Sequence, residues 1–486
     1  MGSILLRAAA AGAAAVALAV PLAAQQQPIT LRQAVSLAQQ QSYQARAAEA
    51  IREAARYRDR AFYSRQLPQL SLEGTVPDYN RAIIPVLQPD GSTSFQPQNQ
   101  TNAELTATVF QPLPVFGGDF FISTALSTVR ISGDQTIRSW SSTPVRFGLR
   151  QPLFRPNNVA WDRREQPVRY DVSERQYREA KETIALQTAD AFFDVYAARV
   201  AFQNATNNAA INDTIFTLNK GRYEVGRIGE NDLLQSELAL LRARTALDGA
   251  RLNYQRVLAA LRLALNLPEN APLEIDVSAA VPDFEADTVR AVTEALRNRA
   301  IVAEMELEQI QAERQLNEAR LNNGFGATIQ ASYGLNATAP EASDVYHNLQ
   351  EAQRFSLSVQ IPLIQWGARK ENVRAAMADR ERASNTARSA TEQTRQEAHF
   401  AALQLAQARR NLLLSTTADS VAGRRFEVAY NRYVIGRITI DNLFIAQNEK
   451  DQARNQFVQA LRGYWQAYYQ LRRVTLFDFE AGRSID

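Results

Sequence analysis

The sequence predicts a mostly α chain with a membrane β-barrel part, and three observations predict it. The chain repeats itself at a fixed offset of 210 residues. Short stretches alternate apolar with small or polar side chains, the period of a strand with two unlike faces. Between them run helical stretches far longer than the 8–20 residues usual in globular proteins.

The N-terminus indicates the compartment. Arg7 precedes a run of mainly Ala, Val and Leu from Ala8 to Ala24, followed by Gln25-Gln26-Gln27-Pro28. One positive charge, a short apolar run and a polar start read as a secretory signal peptide over residues 1–24, cleaved near Ala23 or Ala24. An uncleaved anchor helix is the weaker reading, because the run is short for a bilayer. Further on, no stretch approaches the ~20 apolar residues of a spanning helix. A membrane crossing by the exported chain therefore has to be a closed barrel.

Composition excludes several chemistries. The chain has no cysteine, and its two histidines, His347 and His399, are far apart. Disulfides, cysteine metal sites and a histidine relay lack material. The net charge of +3 comes with no concentrated basic face or nucleic-acid module. No cofactor, metal, nucleic acid or enzymatic activity is expected.

The duplication sets the order of elements. Gly221–Leu234 (GRYEVGRIGENDLL) matches Asn431–Phe444 (NRYVIGRITIDNLF), with Arg222/Arg432, Tyr223/Tyr433, Gly226/Gly436, Arg227/Arg437 and Ile228/Ile438 identical. Gln151-Pro152-Leu153 aligns with Ile361-Pro362-Leu363 at the same offset, as does Tyr254 with Tyr464. The first repeat covers 25–265: a helix from Leu31 to Ser64, strands over about 68–154 and a helical hairpin over 168–265. Residues 266–287, with three prolines and many acids, form an irregular linker with one short strand. The second repeat covers 288–478: a helix from Thr288 to Leu321, a β-hairpin over about 327–364 and a helical hairpin over 368–473. Residues 479–486 are a tail.

Strand faces follow from alternation. Ala327, Ile329, Ala331, Tyr333 and Leu335 interleave with small or polar residues, as do Phe355, Leu357, Val359, Ile361 and Leu363. Val145, Phe147 and Leu149 interleave with Arg146, Gly148 and Arg150, so Arg146 and Arg150 are expected to line a water-filled lumen. Each strand set is expected to stop at a proline, Pro152 or Pro362, where a ladder donor is missing. The helices beyond, from Val168 to Tyr223 and from Ala368 to Tyr433, would each extend roughly 80–100 Å at ~1.5 Å per residue. The stretch 375–408 is rich in Ala, Arg, Gln and Glu. A narrow apolar seam on a polar helix suits coiled-coil-like packing in a hollow tube wet on both sides.

This order of motifs, with Gln151–Phe154 (QPLF), Leu67-Pro68-Gln69-Leu70 and the two Tyr-x-x-Gly turns, resembles the TolC family of outer-membrane factors over nearly the whole mature chain. The resemblance implies a homotrimer in the cell outer membrane. Each subunit would give two β-hairpins to a twelve-stranded barrel and long helices to a periplasmic α-barrel. Four strands cannot close a watery lumen, so a symmetric oligomer is needed on physical grounds as well. Implied partners are further copies of the chain, outer-membrane lipid, a periplasmic adaptor protein and an inner-membrane pump, in an efflux or type I secretion system. One departure is a surplus of residues between Pro68 and Pro152, far more than one hairpin needs, with an extra strand pair expected over Ala103–Phe110 and Asp119–Ile131.

The tips carry the remaining expectations. A left-handed glycine ends a helix without steric cost, so Gly226 and Gly436 should make the turns. Val225, Ile228, Ile435 and Ile438 are apolar at an exposed apex. By the resemblance these, with Arg222, Tyr223, Arg227, Arg432, Tyr433 and Arg437, dock the adaptor. Asp232, Asp441 and Asn442 are the implied gate residues; family members often carry Asp six residues after the tip glycine, which here gives Asp232 but Asn442. Gly221-x4-Gly226 has phosphate-loop spacing but lacks the following Lys-Ser/Thr, which favours a helical tip. Asp190 and Asp194, one turn apart and near Arg199, are expected on a solvated face. The rival to a channel is a periplasmic coiled-coil scaffold without a pore, which leaves the paired strands unexplained.

Overall fold

The computed structural model describes residues 28–132 and 136–485; the expected signal peptide lies outside them. The chain enters through β1 (Ile29–Thr30), α1 (Leu31–Gln41) and α2 (Tyr43–Ser64). The single helix expected over this stretch breaks at Ser42. Its ψ of 154° leaves the helical region, and its hydroxyl accepts the Ala45 amide to cap α2. Serine suits that role because it satisfies a donor that a helix start leaves free.

Four strands follow: β2 (Gln69–Leu87), β3 (Thr93–Leu113), β4 (Gly118–Ser132) and β5 (Ile137–Leu153). The first long helical hairpin is α3 (Asn158–Glu224) and α4 (Glu230–Ala264), and the linker holds β6 (Ile275–Asp276), which pairs in parallel with β1. The second copy runs α5 (Thr288–Asn298), α6 (Ala300–Asn322), β7 (Gly326–Ala339), β8 (Gln350–Gln360), α7 (Ala368–Val434) and α8 (Ile440–Thr475). Here too the entry helix expected as one piece breaks, at Arg299, whose ψ is 138°.

The sheet is a six-stranded antiparallel array in the order β2-β3-β4-β5-β7-β8. The expected extra pair is present as β3 and β4, longer than 103–110 and 119–131, so the chain contributes six strands where the family resemblance alone implied four. One expectation needs correction. The long helix α3 starts ten residues before Val168 and contains Pro167. An interior proline costs about 3 kcal/mol. Contacts in the turns just before it hold the helix in place: Arg314 of α6 bridges Asp162 at 2.7 Å and the buried Glu165 at 3.0 Å. Asn157 caps the start by accepting the Ala160 amide at 3.0 Å.

The helices α3 and α7 each hold 67 residues, about 100 Å at 1.5 Å per residue. Contacts run from α4 to α3, from α3 to α8 and from α8 to α7, so α4 and α7 are the two outer members of this row. Its main core lies midway along, where α1 and the linker cross. Phe192, Phe193 and Val195 of α3 pack there with Leu461, Tyr464 and Trp465 of α8. Arg472 on α8 binds Glu182, only 2% exposed, at 3.0 Å and Asp478 at 2.5 Å. Burial opposes the charge on Arg472, but Glu182, Tyr468 and Asp478 together hold the guanidinium above its ordinary pKa. Burial also pushes the Tyr464 hydroxyl up to about 12.

Candidate functional site

The two tips are built alike. α3 ends at Glu224, and Gly226 takes φ +67°; α7 ends at Val434, and Gly436 takes φ +74°. In each, the glycine amide donates to the Tyr three residues earlier (2.9 Å in both). The following Arg amide donates to the Arg five residues earlier, at 2.8 and 2.9 Å. This pair of bonds is the Schellman closure of a helix, which requires a left-handed residue at the glycine position. A Cβ at either glycine would meet nothing within 4 Å, so the backbone angle alone selects glycine. Gly221 lies within α3, which removes the phosphate-loop geometry altogether.

Equivalent side chains at the tips behave differently. Val225, Gly226, Arg227, Arg432, Ile435, Gly436 and Arg437 are exposed, and Ile228 and Ile438 are half-buried. Tyr223 is 42% exposed, whereas its counterpart Tyr433 is 4% exposed. The Tyr433 hydroxyl donates to Asn219 Oδ1 at 2.8 Å, and burial raises its pKa. Arg222 stacks over the Tyr433 ring at 5.4 Å and donates to the Val434 carbonyl at 3.2 Å. Arg222 and Tyr433, expected at the docking surface, instead brace one tip against the other. Asp232 and Asp441 sit in the first turns of α4 and α8, where the helix dipole favours an anion. Asp441 accepts from Gln235 at 2.7 Å, a further tie between repeats, and Asn442 donates to Thr439 at 3.0 Å.

The sheet has two unlike faces. Residues paired directly across antiparallel strands point the same way. One row runs Leu70, Val109, Ile122, Phe147, Tyr333 and Gln353; the next runs Ser71, Thr108, Ser123, Arg146, Gly334 and Ala352. Arg146 and Arg150 therefore share the polar face, away from Phe147 and Leu149. Arg150 binds Asp119 at 2.9 Å and Arg146 donates to Ser123 Oγ at 3.3 Å. Phe110 and Phe121 interrupt that polar face, and Phe121 occupies the space that a side chain on Gly148 would need.

Sequence reasoning missed two features. Along α7 and its C-terminal cap, Phe400, Leu414, Val421, Val428 and Ile435 recur at a spacing of seven (with Gln407 at the remaining position), and all five are 52–68% exposed. On α4, Leu234, Leu238, Leu241 and Leu252 form a second exposed stripe. The seven-residue spacing was readable in the sequence. The second feature is a set of exposed aromatics, Phe116, Phe154, Phe325 and Trp366, at the end of the sheet nearest the helices. Elsewhere, Asp190 and Asp194 do not simply face water. Arg462 of α8 ties them to the second repeat, at 3.5 and 2.6 Å, while Arg199 turns to the Ile275 carbonyl. His347 and His399 are exposed, the former between β7 and β8.

Comparison with known proteins agrees with this architecture. The family model described as outer membrane efflux protein matches residues 96–267 and 291–475. The CmeC outer membrane channel of Campylobacter jejuni superposes with a TM-score of 0.67 at 16% identity, covering 94% of this chain and 86% of that one. The VceC outer membrane protein of Vibrio cholerae gives 0.65 at 13%, covering 94% and 97%. The open state of the MtrE outer membrane channel of Neisseria gonorrhoeae gives 0.64 at 15%, covering 94% and 90%. A search of curated proteins by sequence returned no match. Nothing in these findings supports the poreless scaffold. The chain belongs to the outer membrane efflux protein family: it is an outer-membrane channel subunit with a long periplasmic part, homotrimeric, with a periplasmic adaptor and an inner-membrane pump as partners.

Proposed function

We propose that three copies close both parts of the molecule, the sheet into a membrane barrel and the helices into a periplasmic tunnel. The complex then conducts substrate outward without catalysing any reaction on it. The observation that carries this reading is the stripe on α7. Apolar residues every seven positions mark a helix that supercoils against another, yet these side chains are exposed in the single chain. The stripe on α4 is its complement. Val421 lies fifteen residues before Gly436 and Leu241 fifteen after Gly226, so the two stand at one level above the tips. Helix directions alternate along α4, α3, α8 and α7, so α7 of one copy meets α4 of the next antiparallel, continuing the row into a ring. The sheet is open in the same way. Its outer strands β2 and β8 carry the same two-faced pattern and would otherwise be bare edges, a liability in any lone sheet.

At the far end we assign Val225, Gly226, Arg227, Ile228, Ile435, Gly436, Arg437 and Ile438 to adaptor docking, Tyr223 and Arg432 to its margin, and Asp232, Asp441 and Asn442 to the constriction. The apolar apex and the ties between the tips support this. A closed gate needs the tips held as one unit, and Arg222–Tyr433 and Gln235–Asp441 supply those links. The test is Gly226→Glu and, separately, Gly436→Glu in a cell with the cognate pump. Open space at both glycines predicts normal insertion and trimers, with efflux abolished. Normal efflux by either variant would make the tips simple turns.

A further inference from the structure

We propose that the membrane wall has six strands per subunit, with the β3–β4 hairpin as two of its staves, so that three copies close eighteen strands. The outer-membrane segment is then the wide part of the conduit and passes bulky hydrophilic solutes, while the tips supply the constriction. The proposal rests on the closed-barrel reading above.

The duplication shows where the extra strands entered. The helix breaks at Ser42 and Arg299 are 257 residues apart, but the tip glycines are 210 apart, so the first repeat carries 47 additional residues between them. β2 follows α2 as β7 follows α6, and β5 precedes α3 as β8 precedes α7, which leaves β3 and β4 as the inserted pair. Such a pair could have formed a cap or a plug, and its residues argue for the wall instead. On β3, Leu105, Ala107 and Val109 continue the apolar face, and Glu104, Thr106 and Thr108 continue the polar one, in register with β2 and β4. A cap in water or a plug in the lumen has no use for a contiguous apolar face. β3 has 21 residues and β4 has 15, more than the roughly 9–11 that cross a bilayer as a tilted strand.

The β3–β4 turn is also anchored where a wall turn has to be. It is short and lies on the helix side, as periplasmic turns of outer-membrane barrels do. Asn157, the cap of α3, donates to the Pro114 carbonyl at 2.7 Å, and Gln151 donates to the Phe116 carbonyl at 2.7 Å. Gly117 takes φ +71° there, with its Cβ position 2.9 Å from Asn157, so only glycine fits. Phe116, 69% exposed, joins Phe154, Phe325 and Trp366 at that edge, in the manner of an interfacial aromatic belt. Barrel diameter grows about linearly with strand number, so eighteen strands enclose a wall about 1.5-fold wider than twelve at equal tilt.

The absence of native cysteine makes a spin-label scan direct. Leu105→Cys, Thr106→Cys, Ala107→Cys and Thr108→Cys on β3, with Phe355→Cys and Ser356→Cys on β8 as reference, are labelled in full-length trimers in lipid nanodiscs. Accessibility to oxygen (lipid) and to a nickel chelate (water) is then measured. Residue-by-residue alternation on both strands is expected. Alternation on β8 but not on β3 places the hairpin outside the wall and overturns the proposal alone. Alternation on neither overturns the closed barrel, and the proposal with it. Should labelled variants fail to assemble, end-on images of the unmodified trimer decide: eighteen strands are expected, and twelve overturn the proposal.

Discussion

The two ends of the molecule treat the duplication differently. At the tips the repeats match turn for turn: the same Arg-Tyr and Gly-Arg-Ile, the same glycine conformation and the same pair of closing hydrogen bonds. At the wall they differ by a whole hairpin, four strands against two. Geometry accounts for the contrast. A strand pair added to the sheet widens the wall without moving any existing strand along its axis. Residues added to one helical hairpin would carry its tip past the other and break the Arg222–Tyr433 and Gln235–Asp441 ties.

The largest expected effect follows from that argument. Seven residues inserted into α7 and seven into α8 at one level keep the stripe in phase but lower one tip by about 10 Å. Efflux in a pump-proficient strain should be lost; retained efflux would mean that the tips need not be level. Next, Val421→Glu places an uncompensated charge between copies, worth on the order of 3–5 kcal/mol per interface. Trimers should melt to monomers at clearly lower temperature in detergent gels, while Arg424→Glu beside it changes little. Third, Arg146→Glu with Arg150→Glu should move single-channel selectivity toward cations with trimer yield unchanged. Arg146 should carry most of the shift, since Asp119 already neutralises part of Arg150. The smallest effect separates the tips from each other. Tyr433→Phe leaves the buried Asn219 without its donor and should cost about 1–2 kcal/mol in thermal unfolding. Tyr223→Phe, at the exposed counterpart, should cost almost nothing.

Much of this is legible in the sequence. The 210-residue repeat, the alternating strands and the long helices each depend on a period within the chain, and periods survive in a single sequence. Helix breaks at Ser42 and Arg299 were not, because one residue leaving the helical region hardly disturbs the apolar pattern around it. The start of α3 was missed because Pro167 forbids an intrahelical bond locally, while Arg314, Asp162 and Glu165 act across 150 residues of sequence. The glycine turns could be read, but the split between a buried Tyr433 and an exposed Tyr223 could not. Their local motifs are the same, and the difference comes from Asn219 and Arg222 on the other hairpin. The α7 stripe was readable at its spacing of seven, and its meaning needed α7 to be at the outside of the row.

The central claim is that α7 of one copy meets α4 of the next. Leu241→Cys combined with Val421→Cys, in a chain otherwise free of cysteine, tests it by mild oxidation of intact outer membranes followed by denaturing electrophoresis. Covalent dimers and trimers that revert on reduction are predicted for the double variant, and only monomers for each single variant. Monomers alone from the double variant, with channel activity intact, would contradict the account.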